Sequence, residues 1–388
     1  MPEGQNAAAV TVLSSILDVE PEHWDACAGT GNPFVSHAFL AALETSGSAA
    51  AETGWLPRHL VIPSADGGLA GCAPMYLKSH SYGEYVFDWG WAEAYERAGG
   101  RYYPKLQLAV PFTPVPGPRL LARPDAPADT AAVLAAATLR LAEKTGASSV
   151  HVTFNTPDEQ RILTSAGYLP RIGRQYHWTN RGYGSFDNFL ADLSARKRKA
   201  IRRERAAVTA EGITVRVLTG AEIDESHWDS FYRFYLDTVD RKWAHAYLNR
   251  RFFSELGTRL GDRVVLMWAQ SAVGEPVGVA LNLVGGDALY GRYWGGSTEV
   301  KYLHFEVCYY RAIEYAIAHG LSRVEAGAQG EHKIQRGYLP IATYSAHWIA
   351  DRRLRDAVAA FLTRERASVD RELAQLATWT PFRDDARP

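Results

Sequence analysis

The sequence predicts an α/β protein, with mixed α+β sheets, made of two copies of one unit in tandem. Gly167-Tyr168-Leu169-Pro170 is followed by His177-Trp178, and Gly337-Tyr338-Leu339-Pro340 by His347-Trp348 at the same interval, so both ends of the echo are offset by 170 residues. The order of elements around the echo repeats as well, which is the signature of an internal duplication. A length of 388 residues suits two domains of roughly 150 to 200 residues each.

In the first copy, 11–19 alternates as a strand, and 33–44 reads as a helix with Phe34, Phe39, Leu40 and Leu43 on one stripe. Residues 59–62 and 69–77 are strands joined by the Asp66-Gly67-Gly68 turn. An aromatic-rich stretch, 82–103, precedes a segment, 110–119, whose prolines forbid a regular ladder or helix. A helix over 130–144 and a strand over 149–154 lead to the first echo. In the second copy, strands at 264–268, 276–284 and 288–294 precede a helix over 303–319, closed by Gly320, and a strand over 323–326. The resulting division is a first domain at 1–185, a basic connecting helix at 186–212, and a second domain at 213–388 ending in a helical region over 351–377.

Composition narrows the classes. With 47% hydrophobic and 22% charged residues the chain is globular, and a net charge of −1 leaves no global field for a polyanion, so any such site is a local cluster. Three cysteines without a CxxC pair suggest neither a disulfide framework nor zinc. The first residues show no signal-peptide pattern, and no run of about 18 apolar residues occurs. The expectation is a cytoplasmic protein without a metal, peripheral to the inner membrane if it meets lipid at all.

Five segments carry candidate chemistry. Residues 326–337 begin where a strand ends and concentrate Glu331, His332, Lys333 and Arg336 after two glycines, a placement common to ligand sites of α/β sheets. His304 and Glu306 open the second-copy helix and supply an imidazole and a carboxylate for proton transfer, against the plainer reading of a packed helix start. Arg292, Gly295, Gly296 and Ser297 lie between a strand and that helix, where free N–H groups attract phosphate. Their spacing approaches the R-x-x-G-x-[GA] pyrophosphate loop of GCN5-related N-acyltransferases, with Ser297 in place of the last small residue. The basic run from Arg196 to Arg205 is either a solvated helix or a surface for a carrier's phosphates, anionic lipid or RNA. Glu84, Asp88, Trp89, Tyr102, Tyr103 and Lys105 read as core rings with edge polar groups, or as the wall of a pocket whose acids receive a cationic amine.

Taken in order, 32–40, 81–89, 102–105, 110–119, 196–199, 304–306 and Gly327-Ala-Gln-Gly-Glu-His-Lys333 resemble the bacterial predicted N-acyltransferases of the peptidoglycan biosynthesis/recognition group, over nearly the whole chain. The resemblance implies two tandem GCN5-related acyltransferase (GNAT) folds of the Fem type. It also implies either acyl-CoA as co-substrate, with no permanent cofactor, or aminoacyl-tRNA as donor. The Fem lysine sits in a Phe-Lys-x-Gly pattern, whereas Lys333 lies four residues before Gly337. On this expectation an amine of a lipid or peptidoglycan precursor attacks a thioester or ester directly, His304 or Glu306 takes its proton, and Lys333 steadies the oxyanion. The donor's phosphates meet 292–297 and Arg336, and the acceptor meets the first copy. A non-catalytic precursor-binding protein is the rival from another class.

Overall fold

The computed structural model describes residues 9–241, 245–297, 299–327 and 330–383, so Ala328 and Gln329 of the glycine-rich loop, and residues 1–8 of the start examined for a signal sequence, lie outside it. The chain folds into two compact units interleaved in sequence. Unit 1 comprises 1–173 with 343–369, and unit 2 comprises 174–342 with 370–388. The linear division at 185 and 213 differs from this because the two echo strands change units partway along.

In unit 1, β1 (Thr11–Leu13), β3 (His59–Pro63), β4 (Leu69–Ala73) and β7 (Leu121–Ala122) form a four-stranded antiparallel sheet, with α1 (Pro21–Ala28) and α2 (His37–Thr45) between β1 and β3 along the chain. The strand expected over 11–19 stops at Leu13 because Ser15 caps a 3₁₀ turn over Ile16–Asp18. The strand expected over 69–77 divides at Pro74, which has no N–H to give a ladder. Its second piece, β5 (Met75–Lys78), joins β2 (Trp55–Pro57) and β6 (Lys105–Leu108) in another sheet. Helix α3 (Trp89–Arg97) interrupts the aromatic stretch. Strand β6 then runs parallel to β8 (Ser149–Asn155), and α4 (Thr130–Thr145), ended by left-handed Gly146, supplies the crossover. Leu134 of α4 and Leu163 of α5 (Pro157–Ser165) pack with Leu106, Val150 and Val152 of those strands.

The first echo strand, β9 (Leu169–Thr179), begins in unit 1 and ends in unit 2, where 177–179 pair with 323–325. After it come α6 (Phe186–Asp192) and α7 (Ala195–Ala210) in place of one connecting helix. Strand β10 (Thr214–Thr219) and helices α8 (Glu225–Arg241) and α9 (Arg250–Leu260) were not anticipated, although Trp228, Phe231 and Tyr235 lie three and four apart and are buried. The sheet of unit 2 then runs β10, β11 (Val264–Gln270), β12 (Pro276–Gly285), β13 (Ala288–Gly296), β14 (Arg323–Glu325) and β9, antiparallel except for β13 with β14. That parallel pair is bridged by α10 (Leu303–Phe305), a π-helical turn over Glu306–Tyr310, and α11 (Arg311–Ala318), one continuous helical run that ends before Gly320. The second echo strand, β15 (Leu339–Ile349), begins in unit 2 and ends in unit 1, where 344–349 pair with β8. It leads into α12 (Arg352–Ala377). Arg171 reaches Glu365 with two bonds of 2.8 Å in unit 1, and Arg174 reaches Glu372 at 2.5 Å in unit 2, so the first half of β9 holds the last helix on either side of its change of unit.

Trp178 of the echo is fully buried in unit 2 among Phe189, Leu289, Ile313 and Val324. Removing so large a side chain loses its transfer energy and leaves a cavity. Trp178→Ala is expected to cost about 3–5 kcal/mol in denaturant unfolding; an unchanged midpoint would contradict the packing described.

Candidate functional site

Strands β13 and β14 stay together for three residues only, 288–290 against 323–325. Beyond Tyr290, β13 pairs among the described residues with β12 alone, and there Asn282 faces Gly291 while Leu281 faces Tyr293, so Arg292 is the extra residue of a bulge. A Cβ on Gly291 would stand 3.3 Å from the Glu325 carbonyl oxygen, and one on Gly295 only 2.3 Å from the carbonyl oxygen of Phe234 in α8. Gly295 therefore permits the close crossing of helix and strand. The end of β13 meets a cavity of about 490 Å³ whose wall includes Gly296, Ser297, His304, Trp294, Arg241 and Lys301. The His304 ring lies 5.1 Å from that of Trp294, and Arg241 gives both terminal nitrogens to the Gly296 carbonyl at 3.3 Å.

The other expected residues of unit 2 separate into distinct settings. Glu306 is buried and accepts two 3.0 Å bonds from Arg205, with Arg311 at 2.9 Å. Its oxygens are thus engaged by guanidinium groups within an ion-paired cluster. Arg336 binds Glu204 at 2.9 and 3.0 Å, donates to the Tyr310 hydroxyl at 3.0 Å and lies 3.4 Å over the ring of Phe305, a residue of the cavity wall that Arg336 itself does not line. Lys333 is buried and gives protons to the carbonyls of Ala326 at 2.6 Å and Gly327 at 3.0 Å; burial draws its ammonium down to about 8. His332 meets the Tyr309 hydroxyl at 3.0 Å, and Glu331 is exposed. Of the basic run, Arg205 also holds Glu314, Arg202 holds Asp187 and Arg198 caps carbonyls, whereas Arg196, Lys199 and Arg203 are exposed.

Sequence reasoning missed Arg241 and Lys301 at the cavity, and it missed Glu325. The latter ends β14 at the point of divergence, with Tyr290 across one ladder and His177 across the other. One carboxylate oxygen accepts from Arg323 at 3.0 Å; the other is buried without a hydrogen bond, 3.7 Å from His177 Nε2. Burial lifts Glu325 to about 7 in spite of Arg323, and burial, with Arg323 and Lys333, draws His177 down to about 3. The strand of Glu325 is only Arg323-Val324-Glu325, too short to carry a pattern that marks the acid.

In unit 1 the acids expected to receive an amine already hold one. Lys105 is fully buried and donates to Ser81 at 2.7 Å, Glu84 at 2.9 Å and Asp88 at 2.5 Å. Asp88 also accepts from Ser81 at 2.6 Å and Tyr102 at 2.8 Å, and Tyr103 reaches Ser81. Against burial, Lys105 and His151 hold Asp88 well below the usual carboxylate range, while burial, opposed by Lys105 and reinforced by Asp88, lifts Glu84 to about 7. Trp89 is 40% exposed, so it does not share this buried knot. Beside the knot, His151 and His347 face each other through their Nδ1 atoms at 2.7 Å, each drawn down by burial.

Solved structures share this arrangement at low sequence identity. FemX is similar over 88% of this chain and 98% of its own, with a TM-score of 0.56 at 12% identity. L-PGS from Bacillus licheniformis is similar over 89% of this chain and 98% of its own, at 0.55 and 12%. The C-terminal domain (DUF2156) of a putative lysylphosphatidylglycerol synthetase from Agrobacterium fabrum reaches 0.56 at 9%, covering 91% and 97%. These likenesses show a Fem-like fold, as the sequence led us to expect. The FemAB-like family model, described as peptidoglycan biosynthesis/recognition, matches residues 15–384, and the chain belongs to that family. No curated protein matches the sequence.

Two outcomes follow from the buried charges. Lys105→Met strands two buried carboxylates and is expected to cost about 3–5 kcal/mol, read by chemical denaturation; a loss below 1 kcal/mol would contradict the ion-paired knot. For Glu325, with an ordinary value of 4.5 and a folded value of about 7, the folded chain keeps a proton that the unfolded chain releases between those limits. Its contribution therefore declines as pH rises through that window, at up to about 1.4 kcal/mol per pH unit. Glu325→Gln should gain on the unsubstituted protein from pH 4.5 to 7 and run parallel to it above pH 7; a constant difference would contradict the shift.

Proposed function

We propose that the protein is an N-acyltransferase that moves an acyl group from acyl-CoA to a primary amine of a cell-envelope lipid or peptidoglycan precursor. The observation that carries this reading is the end of β13, released from β14 and bordering a cavity that Arg241 and Lys301 make cationic. An extended donor pairs with the free edge of such a strand, and its phosphates meet the cations and the backbone of Gly296 and Ser297. Direct attack by the amine is favoured over an acyl-enzyme, since burial pushes the Cys308 thiol up and leaves no thiolate. Lys333, held by two carbonyls at the end of β14, is the ammonium available to steady an oxyanion. His304 acts at the donor cavity wall rather than in the ion-paired cluster of Glu306.

Family membership is compatible with an aminoacyl carrier as well, and the exposed cations Arg196, Lys199 and Arg203 are the feature that would serve tRNA. Among the described residues no helix is long and apolar enough to cross a membrane, so a lipid acceptor would be met from the membrane surface.

Calorimetry with palmitoyl-CoA is expected to give one saturable site, weakened at least tenfold by the double substitution Arg241→Glu and Lys301→Glu. No binding of palmitoyl-CoA, together with tRNA binding that falls steeply with salt, would overturn the acyl-CoA reading in favour of the tRNA-dependent one.

A further inference from the structure

The two units place different chemistry at one equivalent position. In unit 1 the middle of the parallel pair is Gln107 opposite His151, and His151 in turn faces His347 of the second echo strand. In unit 2 the corresponding row is Tyr290, Glu325 and His177, with His177 at the matching position of the first echo strand. Unit 1 thus carries two imidazoles at the row's last two positions, and unit 2 a carboxylate beside an imidazole. The carboxylate stands at the C-terminal end of β14, where β13 turns away, the place in an α/β sheet at which ligands gather.

We propose that Glu325, with His177 beside it, forms the site for the acceptor's primary ammonium group in unit 2. The inference deepens the acyltransferase reading and rests on it for the identity of the reaction, but not for the binding site. Three observations carry it. Among the described residues, the Glu325 oxygen on the His177 side is buried and makes no hydrogen bond, which is rare for a buried carboxylate. His177 is held at 3.2 Å from the Gln175 side chain and 3.7 Å from that oxygen, so it borders the oxygen without hydrogen-bonding to it. Gly291 leaves the approach along β13 free of a side chain. The charged and titratable groups around Glu325 are Arg323 on its own strand, His177 on β9, Tyr290 and Arg292 on β13, and Asp287 in the turn before β13. Arg323 is shared with Asp287 and the Tyr290 hydroxyl, so it does not neutralise Glu325 alone.

In this arrangement the ammonium N–H bond breaks and its proton passes to the Glu325 carboxylate. The freed nitrogen pair forms the C–N bond at the carbonyl carbon of the thioester or ester donor. On collapse the C–S or C–O bond breaks, the departing thiolate or alkoxide takes the nitrogen's second proton, and Glu325 returns the first to water. A carboxyl near 7 suits both states at neutral pH.

The test uses octylamine as a probe on the full chain. At pH 8 calorimetry should give one site, weakened at least tenfold in Glu325→Gln and by about tenfold in the unsubstituted protein on going to pH 6, while CoA binding to Glu325→Gln is unchanged. Carbon NMR of the Glu325 carboxyl gives a second reading that needs no variant: its titration midpoint should fall by about one unit or more when octylamine is bound. Equal octylamine affinity in both proteins, no octylamine binding at all, or an unmoved midpoint would each overturn the assignment. Octylamine bound through Glu325 in a protein that does not bind CoA would support the amine site and overturn the acyl-CoA reading instead.

Discussion

The separation of β13 from β14 is the constraint on which the rest of the site depends. A parallel pair joined by a helix normally continues side by side, but here the ladder ends after three residues. The bulge at Arg292 re-aims the strand, and Gly295 lets α8 cross it closely. The consequence is an unpaired strand edge inside a folded unit, which is costly unless something polar meets it. The helical run that follows, with its π turn over Glu306–Tyr310, brings His304 to the same cavity.

The buried charges of the two units do different work. In unit 2, Glu306 with Arg205 and Arg311, and Glu204 with Arg336, are ion-paired groups that fix α7 against the π turn and the 3₁₀ turn over Glu331–Arg336. In unit 1, Lys105 is satisfied by Glu84 and Asp88, although the second Glu84 oxygen is buried without a hydrogen bond. Glu325 and Lys333 are less complete than the pairs of their own unit: among the described residues one Glu325 oxygen has no hydrogen bond, and Lys333 donates to backbone carbonyls. Incomplete pairs are where a ligand's charge still has something to gain, and perturbed groups of this type cluster at functional sites.

Much of this was legible in the residues. The 170-residue echo marks two strands of equal length, β9 and β15, and the glycines and helix of the second copy fall where the spacing put them. The exchange of those strands between units was hidden, because pairing partners are set by long-range register that no local period records. Gly296, Ser297 and His304 were found through their neighbourhood in sequence and do share a cavity. Arg336 and Glu306 looked equally chemical, yet their partners, Glu204 and Arg205, lie more than a hundred residues away. Glu84 and Asp88 invited the same reading, and an internal lysine already occupies them. Glu325 escaped notice because a single acid in a short strand has no motif; what distinguishes it is a buried oxygen without a hydrogen bond at the point where β13 leaves β14.

The central claim, that the freed edge of β13 receives the donor, is tested most directly by amide hydrogen exchange with and without palmitoyl-CoA. The account predicts slowed exchange confined to the end of β13 and the start of the following helix, around 291–305, with 105–110 of unit 1 unchanged. Slowing at 105–110 with none at 291–305 would contradict it.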